Sequence, residues 1–214
     1  MLNPATLLLN VLVRRPAPCV CRFLAGYSLV LAGLFTGLFP TISCSEESCE
    51  RIGPYLIGEV LHYSFSWGPV GVGNGTFETS LVTGDDGESL IRLRFTSKGK
   101  GLANVLYPVD DCIDAFIHPA TLLPVRVEKK TSEGRFICDS TLTFDYKQKK
   151  VIWEDRQDQQ TVACDLEPGT TDFYSLIYRL RSLDVQDGTN TVQVVVDGVP
   201  HQLVIRAGGL KDLK

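Results

Sequence analysis

The chain has 214 residues and a formal net charge of −4. An acidic chain is a poor nucleic-acid binder, because phosphate contacts need clustered Lys and Arg side chains. Once the N-terminal leader described next is set aside, 171 residues remain. That length suits one domain that buries most of its apolar surface.

The first 43 residues have the features of a secretory signal. Arginines precede the apolar segment Phe23–Phe39, small residues follow it, and no acidic residue occurs before Glu46. A basic start, an apolar stretch and small residues at the cut are typical of export signals. We therefore expect residues 1–43 to be a leader that is removed. An uncleaved anchor is the alternative, since the segment is just short of the roughly 20 apolar residues that span a bilayer.

Cys44 offers a second interpretation of the leader's end. The sequence Ile42-Ser43-Cys44 resembles the last part of a bacterial lipoprotein box, in which the cysteine is lipidated after cleavage, although Thr41 stands where a leucine is usual. Simple cleavage and lipidation of Cys44 both remain open. Lipid on Cys44 would associate the protein with a membrane, and stable anchoring needs a second signal besides one acyl chain.

The cysteines of the exported part predict disulfides, because an oxidising compartment favours pairing. If Cys44 is lipidated, Cys49, Cys112, Cys138 and Cys164 form an even set, whose connectivity the sequence leaves open. The first pair to test is Cys138–Cys164. No Cys-x-x-Cys occurs and the spacings suit no zinc pattern, so we expect neither a metal nor a cofactor.

After a short linker at 44–57, residues 58–214 are predicted to form one β-rich domain. Apolar and polar residues alternate at Leu61–Trp67, as in a half-buried strand. The glycines at 71, 73 and 75 predict a turn or bulge rather than a phosphate loop, because a strand follows them and not a helix. Further strands are predicted at Thr76–Val82, Ile91–Phe95, Cys112–Ile117, Leu123–Lys130, Arg135–Phe144, Val151–Asp155, Gln160–Cys164, Thr191–Val196 and Gln202–Arg206.

One segment has the period of a helix. Phe173, Leu176, Ile177 and Leu180 follow the spacing of a helix buried on one face, and Asp172 can cap its start. The predicted fold is therefore all-β and mainly antiparallel: a meander or half-barrel (β-roll) with one packed α-helix near 172–183.

No sequence motif specifies a reaction. Trp67, Tyr107 and Trp153 are the candidates for lining an apolar ligand pocket. Asp110, Asp111 and Glu128 are the carboxylates that an enzyme acting on envelope glycans would use as acid and base.

Several segments resemble a bacterial envelope family, the domain of unknown function 3108 family. Gly58–Gly68 resembles the family's opening strand, Tyr107–Asp111 its Tyr-Pro-Val-x-Asp segment, and His118–Pro124 its Asp-Pro-x-Thr-Leu-x-Pro turn, with His118 in place of the Asp. The resemblance implies a signal-bearing β protein of the periplasm or outer membrane, laid out like half-barrels that carry lipidated cargo. Family members continue for several strands beyond Gln202–Arg206, so we expect an exposed sheet edge, left by truncation of the gene or filled by a partner.

These observations predict an exported, non-enzymatic protein of the bacterial cell envelope. It would bind an apolar or amphiphilic ligand, or another envelope component, on a curved β-sheet. The alternative is a membrane-anchored scaffold whose open sheet edge docks on a partner. The glycan-acting enzyme ranks last, and the sequence leaves the oligomeric state open.

Overall fold

A computed structural model describes residues 9–14, 41–43, 50–67, 69–181 and 189–207 of the chain. Most of these residues lie in strands. The strands are β1 (Leu9–Arg14), β2 (Thr41–Ser43), β3 (Arg51–Ile52), β4 (Tyr55–Leu56), β5 (Val60–Trp67), β6 (Val70–Thr83), β7 (Ser89–Gly99), β8 (Val109–Ile117), β9 (Pro124–Glu133), β10 (Phe136–Asp145), β11 (Lys150–Asp155), β12 (Gln160–Asp165), β13 (Thr171–Asp172), β14 (Thr189–Val196) and β15 (Val199–Ala207). The helices of the described ranges are α1 (Gly101–Leu106) and α2 (Phe173–Arg179).

Nine strands form one antiparallel sheet in the order β12-β11-β10-β9-β8-β7-β6-β5-β2. From β5 to β12 each strand pairs with the next one along the chain, which makes the sheet a meander. The two outermost strands have one neighbour each, so the sheet is open. The prediction of a mainly antiparallel all-β fold with a packed helix is confirmed.

A smaller sheet has the order β1-β15-β14-β13, and β3 and β4 form a hairpin of their own. β13 pairs with β14 in parallel, and the remaining neighbours are antiparallel. The exposed edge expected at Gln202–Arg206 is not there, because β1 pairs with β15 along that side. β1 lies within the predicted leader, so removal of residues 1–43 would free this edge.

The core lies between the large sheet and the elements that cover one of its faces. We call this covered face the inner face. Alternation places Ile113, Ala115 and Ile117 of β8 on it, while the residues between them point to the outer face. Helix α2 lies over the inner face, where Tyr178 stacks on Tyr55 with ring centroids 5.4 Å apart. A second apolar cluster joins α2 to the small sheet through Leu176, Val194, Leu203 and Ile205.

Asp172 starts helix α2 as the sequence predicts. Its side chain accepts hydrogen bonds from the backbone N–H groups of Tyr174 (2.8 Å) and Ser175 (2.9 Å). These bonds satisfy donors that the first turn of a helix leaves free. The helix proper ends at Arg179, earlier than the expected range of 172–183.

One sequence expectation is wrong in this region of the fold: residues 51–56, placed in the linker, form the β3–β4 hairpin, and Tyr55 is completely buried in the core. The glycines at 71, 73 and 75 lie inside β6 and form no turn, but the register between β5 and β6 shifts there, because Phe65 pairs with Gly73 and Ser66 with Gly71. The bulge offered as the alternative to a turn is therefore present. A Cβ atom at position 73 would stand 2.8 Å from the carbonyl oxygen of Lys98, so the backbone would have to shift to admit any residue but glycine.

The predicted export segment Phe23–Phe39, its cleavage and the fate of Cys44 lie outside the described residues. Within the part of the chain that the structure describes, no helix is both long and apolar enough to cross a membrane.

Candidate functional site

Large apolar side chains stand exposed together at one end of the large sheet. Trp67 ends β5 and pairs with Val70 at the start of β6, and β8 and β10 begin at this same end. Helix α1 joins β7 to β8 there. We call this set the apolar rim: Trp67, Val70, Leu102, Val105, Leu106, Tyr107, Phe136 and Ile137.

Helix α1 carries the most exposed part of the apolar rim. Leu102, Val105 and Leu106 are 82%, 76% and 86% exposed, and their spacing puts them on one side of the helix. A surface helix normally turns such a side toward the core. Here no residue of α1 is buried, so its apolar side points away from the protein.

Local contacts hold α1 in this orientation. The backbone N–H of Lys100 donates to the carbonyl of Val72 (2.8 Å), which ties the start of the helix to β6. The Oδ1 atom of Asn104 accepts from the N–H of Val109 (3.1 Å), which ties the helix to β8. Hydrogen bonds to β6 and β8 therefore hold α1 in place with its apolar side exposed.

The β9–β10 turn supports the base of the rim. The N–H of Gly134 donates to the carbonyl of Pro108 (2.7 Å), and the ring of Tyr107 lies against Gly134. A Cβ atom at this position would be 2.5 Å from that ring, and Gly134 has a positive φ of 62°. Only glycine meets both conditions without strain.

A polar group lies on the inner face between the rim and the core. Asp111 is 6% exposed and accepts from the N–H of Ser132 at 3.2 Å. Burial and, secondly, the charge of Glu133 raise the pKa of Asp111 to about 6.

An ion pair joins β9 to the β14–β15 turn. The Nζ atom of Lys129 lies 3.1 Å from Oδ1 of Asp197. This ion pair fixes the tip of the β14–β15 hairpin over the inner face.

The three predicted ligand residues do not line one pocket. Trp67 (81% exposed) and Tyr107 (half-exposed) belong to the apolar rim, while Trp153 lies half-buried against the core near Gly198. Trp153 is level with Val127 on β9, seven residues from Gly134. This register puts it about 20 Å along the strands from Tyr107.

The predicted disulfide Cys138–Cys164 is not formed, and Cys112 is also a free thiol. Cys164 is level with Phe144 of β10, six residues from Cys138, so the two are about 20 Å apart. Burial raises the pKa of the Cys138 thiol, which makes it a poor nucleophile. Cys44 and Cys49 lie outside the described residues.

The candidate carboxylates of an enzyme are not brought together. Asp110 and Glu128 are on the outer face, where Asp110 pairs with Lys98 (3.6 Å) and Glu128 pairs with Arg126 (3.1 Å). Asp111 is on the inner face, because successive residues of a strand point to opposite sides. The described residues contain no cluster of three or more side chains suited to a metal ion.

Sequence reasoning found two members of the apolar rim and missed α1. The signal was present in the spacing of Leu102, Val105 and Leu106, but a pattern of six residues is too short to distinguish a helix from a strand end.

Comparison with known proteins assigns the family. No curated protein and no solved structure matches the chain. A family model described as protein of unknown function (DUF3108) matches residues 62–212, which include most of β5, the strands β6 to β12, both helices and the β14–β15 hairpin. The chain therefore belongs to the DUF3108 family.

Proposed function

We propose that this chain is an exported, non-enzymatic protein of the cell envelope that binds an apolar or amphiphilic partner through the apolar rim. The observation that carries the proposal is the outward-facing apolar side of α1 beside Trp67. Contiguous exposed apolar patches are typical of interaction sites in soluble domains. The export signal predicted at residues 1–43 supports the compartment.

The filled inner face favours the rim over the sheet as the binding surface. The side chains of Tyr55, Phe77 and Tyr178 occupy the space between the sheet and α2. A ligand carried on the inner face would have to displace this packed core, which is unfavourable. The separation of Asp110, Asp111 and Glu128 onto two faces supports a binding role rather than acid–base catalysis.

Tryptophan fluorescence tests binding at the rim directly. The chain has two tryptophans, so Trp153→Phe leaves Trp67 as a reporter within the rim. We expect micelles of dodecylphosphocholine to shift the emission of Trp67 to shorter wavelength, because the indole leaves water. The matched control, Trp67→Phe, leaves only Trp153 and should show no shift. An unchanged Trp67 emission, or equal shifts in both variants, would contradict the proposal.

The predicted compartment needs a separate test. Intact-mass analysis of the exported protein, reduced and non-reduced, reports the cleavage site, any lipid on Cys44 and the number of disulfides. A full-length mass in the cytosolic fraction alone would contradict export.

A membrane-anchored scaffold is the second candidate, and the open edge at β12 favours it. All residues of β12 except Cys164 are exposed, and the strand has a neighbour on one side only. Such an edge can pair with a strand of another chain. A photo-crosslinker at Thr161 in cells should capture one stable partner if the chain is a scaffold. Capture at Leu106 and not at Thr161 would favour the rim.

A further inference from the structure

We propose that the partner of the apolar rim is the surface of a lipid bilayer with anionic headgroups, into which α1, the end of β5 and the β9–β10 turn insert. This inference rests on the proposed function and names the partner for it. The sheet would then stand on the membrane with its rim end down.

The shape of the rim favours a fluid partner. Trp67, Leu102, Val105 and Leu106 are each more than three-quarters exposed, so they project from the protein instead of lining a groove. A folded protein partner must offer matching recesses, because protein interfaces are packed as densely as protein interiors. A second copy of the rim offers further projecting side chains. Acyl chains rearrange around projections and need no recesses.

The composition of the rim suits a membrane interface. Trp and Tyr side chains are enriched at the level of the headgroups, where their apolar rings and polar groups are both satisfied. Trp67 and Tyr107 are exposed at the same end of the sheet as the aliphatic side of α1. Apolar side chains inserted to the depth of the headgroup boundary supply the attraction in peripheral membrane proteins.

The charges give the rim a preferred orientation. Lys98, Lys100 and Arg135 are exposed beside the rim and outnumber the acidic residues there, Asp110 and Glu133. At the opposite end of the sheet the exposed acidic residues outnumber the exposed lysines: Asp85, Asp86, Glu88, Asp165 and Glu167 against Lys147, Lys149 and Lys150. An anionic surface attracts the first end and repels the second, so the rim would face the membrane.

Quenching of Trp67 by lipid provides a test in the full chain. In the Trp153→Phe background we expect vesicles of phosphatidylcholine and phosphatidylglycerol with brominated acyl chains to quench Trp67. Quenching of Trp67 reports lipid contact at the rim itself, so the measurement distinguishes the rim from a leader that also binds lipid. Adding Leu106→Asp should lower the partition measured through Trp67 by about tenfold or more, because a charge replaces an inserted side chain.

Leu81→Asp is the matched control. It makes the same chemical change at an exposed leucine near the other end of the sheet, and should change the partition by less than about twofold. Equal effects of Leu81→Asp and Leu106→Asp would overturn the inference. So would concentration-dependent self-association that Leu106→Asp abolishes without any quenching by lipid.

The charges are tested separately. We expect Lys100→Glu together with Arg135→Glu to lower the partition onto these anionic vesicles by about tenfold or more, and to leave the partition onto pure phosphatidylcholine unchanged. Lys147→Glu with Lys149→Glu, in an exposed turn at the far end, is the control. Equal losses on both vesicle types would overturn the anionic preference.

The micelle experiment separates the two levels of the proposal. A Trp67 shift with dodecylphosphocholine but no quenching by brominated vesicles would leave the rim as an amphiphile site and overturn the bilayer inference. No response to either would overturn both.

Discussion

Two regions of the molecule use the same kinds of residue in opposite ways. Under α2, Tyr55, Phe77 and Tyr178 are buried, Tyr178 stacks on Tyr55, and its ring also contacts that of Phe77. At the apolar rim, Leu102 and Leu106 are more than four-fifths exposed although α1 is fixed by hydrogen bonds. Burial of the first group stabilises the fold. Exposure of the second group does nothing for the fold, and this is the basis for proposing an interaction there.

The largest expected effect comes from removing a ring of the buried group. Tyr178 is completely buried, stacks on Tyr55, and accepts a hydrogen bond from the hydroxyl of Thr79 at 3.2 Å. Tyr178→Ala should lower the free energy of unfolding by about 3–5 kcal/mol, as measured in urea. Tyr178→Phe loses only the hydroxyl and should cost about 1 kcal/mol. Equal, small effects of both variants would mean that α2 is not part of the core.

Asp111, at the boundary of the two regions, should make stability depend on pH. Its pKa is raised from 3.8 to about 6 in the folded state, mainly by burial. The folded state therefore holds the proton more tightly than the unfolded state. The resulting stabilisation is complete below about pH 4 and is lost as the pH rises through about 6.

The variant Asp111→Asn isolates this effect, because the amide imitates the neutral carboxyl group. It should exceed the wild type in unfolding free energy by about 2 kcal/mol at neutral pH and by little near pH 4. Urea titrations of both proteins at the two pH values measure the difference. A gain that is the same at both pH values would contradict the raised pKa.

A smaller effect is expected where the turn supports the rim. Gly134→Ala should cost about 1–2 kcal/mol, because a Cβ atom must fit both a positive φ and the ring of Tyr107. Gly87 also has a positive φ but open space around it, so the cost of Gly87→Ala should come from backbone strain alone. Thermal unfolding of both variants separates the two causes. Equal costs would mean that Tyr107 does not rest on the turn.

The smallest effect on stability is expected at the rim itself. Leu106→Ala should change the free energy of unfolding by less than about 0.5 kcal/mol, because the side chain is already in water. Leu142→Ala, which opens a cavity in the core, should cost about 2–4 kcal/mol. A cost at Leu106 similar to that at Leu142 would show that the rim is packed and remove the basis of the comparison.

Much of the fold could be predicted because its signals are local. The alternation along Cys112–Ile117 gives both a strand and its buried side, and the spacing around Leu176 gives helix α2. The residues of β3 and β4 were assigned to a linker because strands of two residues have no period to detect. Tyr55 is buried there only because Tyr178, more than 120 residues later, lies over it.

The candidate site was predicted only in part. Trp67 and Tyr107 were named as aromatic residues that could line a ligand pocket, and both lie exposed in the rim instead. Trp153 is also a large aromatic residue, but it lies half-buried against the core because Gly198 of the β14–β15 turn packs on it. Helix α1, the main part of the rim, was missed because six residues are too few to show a helical period. Nothing in its apolar spacing tells an exposed side from a buried one.

The sequence by itself determined the strands β5 to β12, helix α2 and the family to which the chain belongs, because these depend on side-chain alternation and short-range motifs. Only the tertiary structure decided how far the apolar side of each strand is covered. Whether Trp67 or Trp153 is exposed depends on which part of the sheet α2 and the β14–β15 hairpin cover. That choice is made by contacts between residues far apart in the chain, and no local pattern records it.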